Sequence, residues 1–107
     1  MSIIEKNKVD AIGVEKDTGI LVLSISDHLD WSDSSKHLVL LQEKLNSYLV
    51  FIKSGELLKN YPRAKNRMIR IDLFSKYKCF DDKSNHIIGK MQEKIKQTGY
   101  SFEIKYI

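Results

Sequence analysis

Between Leu38 and Ile52 the apolar side chains recur at steps of three and four, at Leu38, Leu41, Leu45, Tyr48, Leu49 and Ile52. That spacing lines one side of a helix. On both sides of this stretch the period drops to two. In "ILVLSIS", Leu21, Leu23 and Ile25 oppose Val22, Ser24 and Ser26. In "MIRIDLF", Ile69, Ile71 and Leu73 oppose Arg70 and Asp72. In "YSFEIKYI", Phe102, Ile104 and Tyr106 oppose Ser101, Glu103 and Lys105. A helix with one apolar side needs a surface to cover, and strands with one apolar face supply it.

The remaining elements follow from local chemistry. Ile12 and Val14 share a face of a short strand, and "KDTG" supplies a turn in which Gly19 can take a positive φ, so Val9 to Asp27 reads as a hairpin. Asp33, Ser34 or Ser35 can cap the helix that follows, and Gly55 stops it. Its solvent face is expected to carry Lys36, Glu43, Lys44, Ser47 and Lys53. "ELLKNYP" makes one more helical turn, closed before Pro62. A second helix starts near Asp81 and Asp82, runs through Ile87 or Ile88, Met91 and Ile95, and stops at Gly99.

The order is ββαβαβ. It predicts an α+β fold: a four-stranded, mostly antiparallel sheet with two helices packed on one face and the other face partly solvated. The connection from Phe74 to Gly99 contains a helix and can make a right-handed parallel crossover. At 107 residues the chain makes a single domain, 1–107, with 1–8 a loose N-terminal tail. A chain of this size buries about two-thirds of its unfolded surface, enough to fold without staples.

Composition excludes several classes. The one cysteine, Cys79, cannot form an internal disulfide. Glu5, Lys6 and Lys8 interrupt any apolar leader, and the apolar run from Leu38 to Ile52 is broken by Gln42, Glu43, Lys44, Asn46 and Ser47. These features predict a soluble cytoplasmic protein with no membrane partner. The net charge of +4 hides an asymmetry: residues 1–53 hold six Lys/Arg and eight Asp/Glu, whereas residues 54–107 hold twelve and six.

Three candidate sites stand out. "SISDHLDWSDSSKH" gathers Asp27, His28, Asp30, Trp31, Asp33 and His37 between a strand and a helix. Its bland reading is a connection in which an aspartate or serine caps the helix and both histidines are solvated. A metal-dependent hydrolase would use His28, Asp30 and His37, although no HExxH or CxxC spacing is present. An interaction surface would use Asp27, Asp30, Trp31 and Asp33, with Trp31 as an aromatic anchor in an acidic rim. Trp31 can equally pack inward as the apolar residue preceding a cap. The basic run 59–78 holds seven Lys/Arg against one Asp. Arg63, Lys65, Arg67, Arg70, Lys76 and Lys78 are its candidates for binding nucleic acid, with Tyr61, Phe74 and Tyr77 available for stacking. No sequence signature calls for a cofactor or a catalytic residue.

From Val9 onward the chain resembles a family of small bacterial proteins of unknown function. The residues that carry the resemblance are "LVLSISDHLDW", ending at Trp31, "HLVLLQEKLNSYLVFIKSGEL" (37–57) and "YP" (61–62). The resemblance brings no catalytic residues with it. Small bacterial domains of this type resemble immunity proteins, which bind and block a toxin delivered by a neighbouring cell. That resemblance implies a non-enzymatic protein whose partner is a protein, a cognate toxin domain.

Overall fold

Strand β1 (Ala11–Val14) folds back antiparallel on β2 (Leu21–Asp27), with Ala11 opposite Ser24 and Val14 opposite Leu21, in a computed structural model that describes residues 3–79 and 81–107. The turn between them requires its glycine. Gly19 has φ +73°, and a Cβ there would lie 3.3 Å from the Arg67 guanidinium that bonds the Gly19 carbonyl. Helix α1 (Ser34–Lys53) follows, capped by Asp33, whose carboxylate accepts from the Lys36 amide. It ends at Gly55, whose φ of +87° turns the chain into the short helix α2 (Glu56–Asn60). A 3₁₀ turn at Pro62–Ala64 leads to β3 (Ile69–Ser75), then α3 (Asp82–Gln97), then β4 (Ser101–Tyr106).

The strands lie in the order β1-β2-β3-β4. The α+β class and the four strands match the expectation, but the sheet is not mostly antiparallel. Only β1–β2 is antiparallel; β2–β3 and β3–β4 are parallel, with Leu21 opposite Ile69 and Arg70 opposite Ser101. Alternation in a strand reports which face is buried and not which way the neighbour runs. A helix lies between β2 and β3 and another between β3 and β4, and such connections return the chain to a parallel neighbour. Both crossovers advance in the same direction, so their helices cover the same face.

Leu21, Leu23, Ile25, Ile71, Leu73 and Phe102 form the sheet side of the core, against Leu41, Leu45 and Tyr48 of α1 and Ile88 and Ile95 of α3. The opposite face holds an ion-pair network. Arg70 binds Asp72 through two nitrogens, at 2.8 and 3.1 Å, and reaches Glu15 at 2.7 Å and Glu103 at 2.9 Å. Lys105 closes on Asp72 at 3.2 Å. Parallel strands with an uncovered face are unusual; here charges linking the hairpin, β3 and β4 occupy that face.

Two further expectations are corrected. Residues 3–8 are not a loose tail: Ile3 is fully buried and its amide donates to the Ser26 carbonyl at 2.9 Å. Residues 1 and 2 lie outside the described part. Lys44, assigned to the solvent face of α1, is 0% exposed. Its ammonium donates to the Glu5 and Lys8 carbonyls, both at 2.6 Å, and to Asp10 at 2.9 Å. The Asp10 amide in turn donates to the Tyr48 hydroxyl, which donates to the Ser24 carbonyl. Burial pushes the Tyr48 phenol well above its ordinary pKa. The N-terminal segment is thereby tied to α1 and β2 at once.

A candidate binding cleft at the carboxyl ends of the parallel strands

Because β2, β3 and β4 are parallel, their carboxyl ends share one edge of the molecule, and α1 and α3 begin there. In open sheets of this construction that edge is where ligands are met. The loop after β2 and the loop after β3 lie side by side: the Lys76 amide donates to the Asp27 carbonyl, and the Trp31 indole N–H donates to the Tyr77 carbonyl at 3.1 Å.

Beneath these loops sits a buried stack. Asp27 accepts from the Leu29 amide at 3.1 Å and lies 2.6 Å from Nε2 of His37, both side chains being out of contact with water. Nδ1 of His37 lies 3.0 Å from the Asp30 carbonyl. Each ring nitrogen therefore faces an oxygen, and neither is open to a substrate or a metal. The Trp31 ring covers the imidazole, with centroids 3.6 Å apart and planes 14° from parallel. Asp27, His37 and Trp31 thus act together as a rigid floor for the loop.

The rim is held by turn and cap chemistry. Asp30 accepts from the hydroxyl and amide of Ser32, at 2.6 and 3.0 Å, and the hydroxyl foremost holds its carboxyl below the usual carboxylate range. Asp33 caps α1. Asp81 caps α3, accepting from the Ser84 hydroxyl at 2.6 Å, the Lys83 amide and the Ser34 hydroxyl, and Ser84 above all keeps its pKa low. Beside Asp30 and Asp33 opens a cleft of about 420 Å³, lined also by Ile4, His28, Leu29, Lys36, Leu40 and Tyr77. Ile4 and Tyr77 stay 54% and 44% exposed there.

The Asp81 cap carries its own prediction. Its folded pKa is depressed, so its stabilisation is present above the ordinary carboxylate value near 4 and is lost as pH falls through the lowered one. Asp81→Ala should lower the thermal midpoint by a few degrees at neutral pH. Midpoints measured against falling pH should then draw together once the pH drops below the ordinary carboxylate value near 4. A gap that stays constant over that range would show that the carboxylate is not what holds the helix start.

The expected site residues are therefore divided. Of the interaction quartet, Asp30 and Asp33 are exposed, Trp31 is half-buried under the loop, and Asp27 is wholly buried. Of the metal set, His28 is exposed and His37 is buried with both nitrogens engaged, so the two do not converge. No group of three or more metal-ligating side chains gathers among the described residues. The expectation of two solvated histidines holds for His28 and fails for His37. The signal was available: His37, Leu41, Lys44 and Tyr48, at steps of four, three and four, are one buried helix face. Ile4 and Tyr77 were missed as cleft residues because they lie in the supposed tail and in the basic run.

The basic run does not form one surface. Lys76 and Lys78 follow β3, whereas Arg63, Lys65 and Arg67 precede it, roughly 20 Å away along the strand. Arg67 is spent on the Gly19 and Arg63 carbonyls, and Arg70 on three carboxylates. No helix of the described residues is long and apolar enough to cross a membrane. A family model described as a family of unknown function (DUF6572) matches residues 1–107. No curated protein and no solved structure matches the chain.

Proposed function

We propose that the chain, which belongs to that family of unknown function, is a non-enzymatic binding protein that takes a protein partner at this cleft, in the manner of an immunity protein blocking a toxin domain. The observation that carries the reading is the cleft's composition. Exposed apolar surface at Ile4 and Tyr77 lies beside the carboxylates of Asp30 and Asp33, on loops pinned by the buried stack. A partner with an apolar side chain inside a cationic ring would complement it, and the opposite charges would speed encounter. A toxin domain that handles a polyanionic substrate carries such a basic surface. Lys36 lines the same cleft and Lys76 and Lys78 flank Tyr77, so the two carboxylates act on a partner only at short range. Of the two histidines that line the cleft, the buried one, His37, has both ring nitrogens committed and is not free to act as a general base.

The test is capture from the host's lysate, with the wild-type chain and an Asp30→Lys/Asp33→Asn variant as parallel baits. Asparagine keeps the α1 cap while removing its charge. The expected result is one stoichiometric protein on the wild type and at least about tenfold less on the variant, as the loss of a rim charge pair predicts. The variant's melting curve should stay cooperative. Equal retention by both baits, or nucleic acid in place of protein, would sink the reading.

A further inference from the structure

The sheet has two edges, and they differ. β1 offers four residues, one of them a glycine. β4 offers six, contains no proline, and ends in Tyr106; Tyr106 and the following Ile107 are 47% and 78% exposed. No other strand among the described residues pairs with its outer side. Edge strands are usually blunted by brevity, proline or a charge set into the edge. Lys105, the one lysine of β4, is instead drawn onto the open face by Asp72.

The direction of each β4 backbone group can be read off. The Ile107 amide donates to the Ser75 carbonyl of β3. Backbone groups alternate sides along a strand, so Ser101, Glu103 and Lys105 also turn their amides and carbonyls toward β3. Phe102, Ile104 and Tyr106 therefore turn theirs outward. Consistently, the Phe102 carbonyl is the one met by a side chain reaching across the edge, Nε2 of Gln92 at 3.2 Å. The outward carbonyl keeps a second lone pair for another donor.

We infer that β4 is the contact by which two copies of this chain form a two-fold dimer, pairing antiparallel about Ile104 into one continuous sheet. The register follows from the residues. An antiparallel pair places outward-facing residues opposite one another, so a two-fold axis at Ile104 sets Ile104 against its own copy and Phe102 against the partner's Tyr106. About six backbone hydrogen bonds form across the edge, two for each such pair. The same axis places Glu103 opposite the partner's Lys105, and Lys105 opposite the partner's Glu103. These are non-hydrogen-bonded pairs, whose Cα atoms approach to about 4.5 Å. A self-complementary contact requires a strand whose charges reverse about its centre, and "EIK" meets that requirement with Ile104 between the two signs. Both charges are accessible on the open face, Glu103 being 52% and Lys105 41% exposed. On the helix side, this register sets the half-exposed Tyr106 beside the Phe102 of the second copy. The cleft at the carboxyl ends of β2 and β3 stays open in each copy, so this dimer does not depend on what the cleft binds.

Sedimentation equilibrium over a concentration series from low micromolar to near millimolar tests the inference. Wild type should pass from monomer to dimer. Glu103→Lys sets lysine against lysine twice, and Lys105→Glu sets glutamate against glutamate twice. Each variant alone should need at least about tenfold more protein to dimerise, whereas an equimolar mixture of the two restores the opposed charges and should dimerise like wild type. Circular dichroism confirms that each variant is folded. Tyr106→Pro provides an independent check, because it removes an outward amide without removing a β3–β4 bond, and it should leave only monomer. A wild-type chain that stays monomeric throughout overturns the inference. So does a dimer indifferent to Tyr106→Pro, or a mixture that associates no better than its components.

Discussion

Lys44→Met is expected to cost about 3–5 kcal/mol of folding stability. The ammonium is wholly buried, and its three donors are matched to the Glu5 carbonyl, the Lys8 carbonyl and the Asp10 carboxylate. Methionine fills the same volume and satisfies none of them. Asp10 would be left as a buried charge held only by the Ser26 amide, and the two carbonyls would lose their donor. Such an uncompensated charge outweighs anything gained in apolar packing. For a domain whose total stability is about 5–15 kcal/mol, the loss takes a large share. Urea unfolding checks it, read as the shift in midpoint at unchanged slope. Adding Asp10→Asn to Lys44→Met should recover part of the loss, because the orphaned charge is then gone. A single-variant cost below about 1 kcal/mol, the level of a surface pair, would mean that Lys44 does not hold the N-terminal segment down.

Asp27→Ala should be nearly as severe, at about 3–5 kcal/mol, and its effect should appear at Trp31. The carboxylate has two partners, the Leu29 amide and Nε2 of His37, and neither the carboxylate nor the imidazole has water to fall back on. Removing it frees the imidazole on which the Trp31 ring lies. The only tryptophan of the chain thereby reports on the site. Its emission should shift to the red, and its near-ultraviolet dichroism should weaken, under conditions in which the far-ultraviolet spectrum shows the helices intact. Unchanged emission with a wild-type unfolding midpoint would show that the loop is fixed by something other than this stack. Asp27→Asn, which keeps the shape and can still accept from Leu29, should lie between the two.

Both predictions concern residues that pattern reading misplaced. His37, four residues before Leu41, and Lys44, three after Leu41 and four before Tyr48, fall on the buried face of α1, yet their polarity argued for the solvent side. Periodicity states which positions face inward; residue type states which side chains ordinarily go there. Where the two conflict, a buried polar group with dedicated partners is a physically sound resolution, and here the partners lie 34 to 39 residues away for Lys44 and ten away for His37. The candidate site was legible in part for the same reason. Asp30 and Asp33 act through their neighbours Ser32 and Lys36, so local chemistry placed them. Asp27 and Tyr77 act through residues brought close only by folding.

Local pattern placed the elements: the strand faces from alternation, the apolar stripes of both long helices, a cap among Asp33, Ser34 and Ser35, a helix start near Asp81 and Asp82, the turn at Gly19 and the stops at Gly55 and Gly99. Each of these depends on interactions within a few residues along the chain, which a local pattern can encode. Folding set the rest: the direction of β3 and β4, the burial of Lys44, the Asp27–His37–Trp31 stack and the cleft above it. Strand direction is set by where a whole crossover returns the chain, and the worth of a buried charge by what distant backbone meets it. Neither quantity belongs to any short stretch of residues.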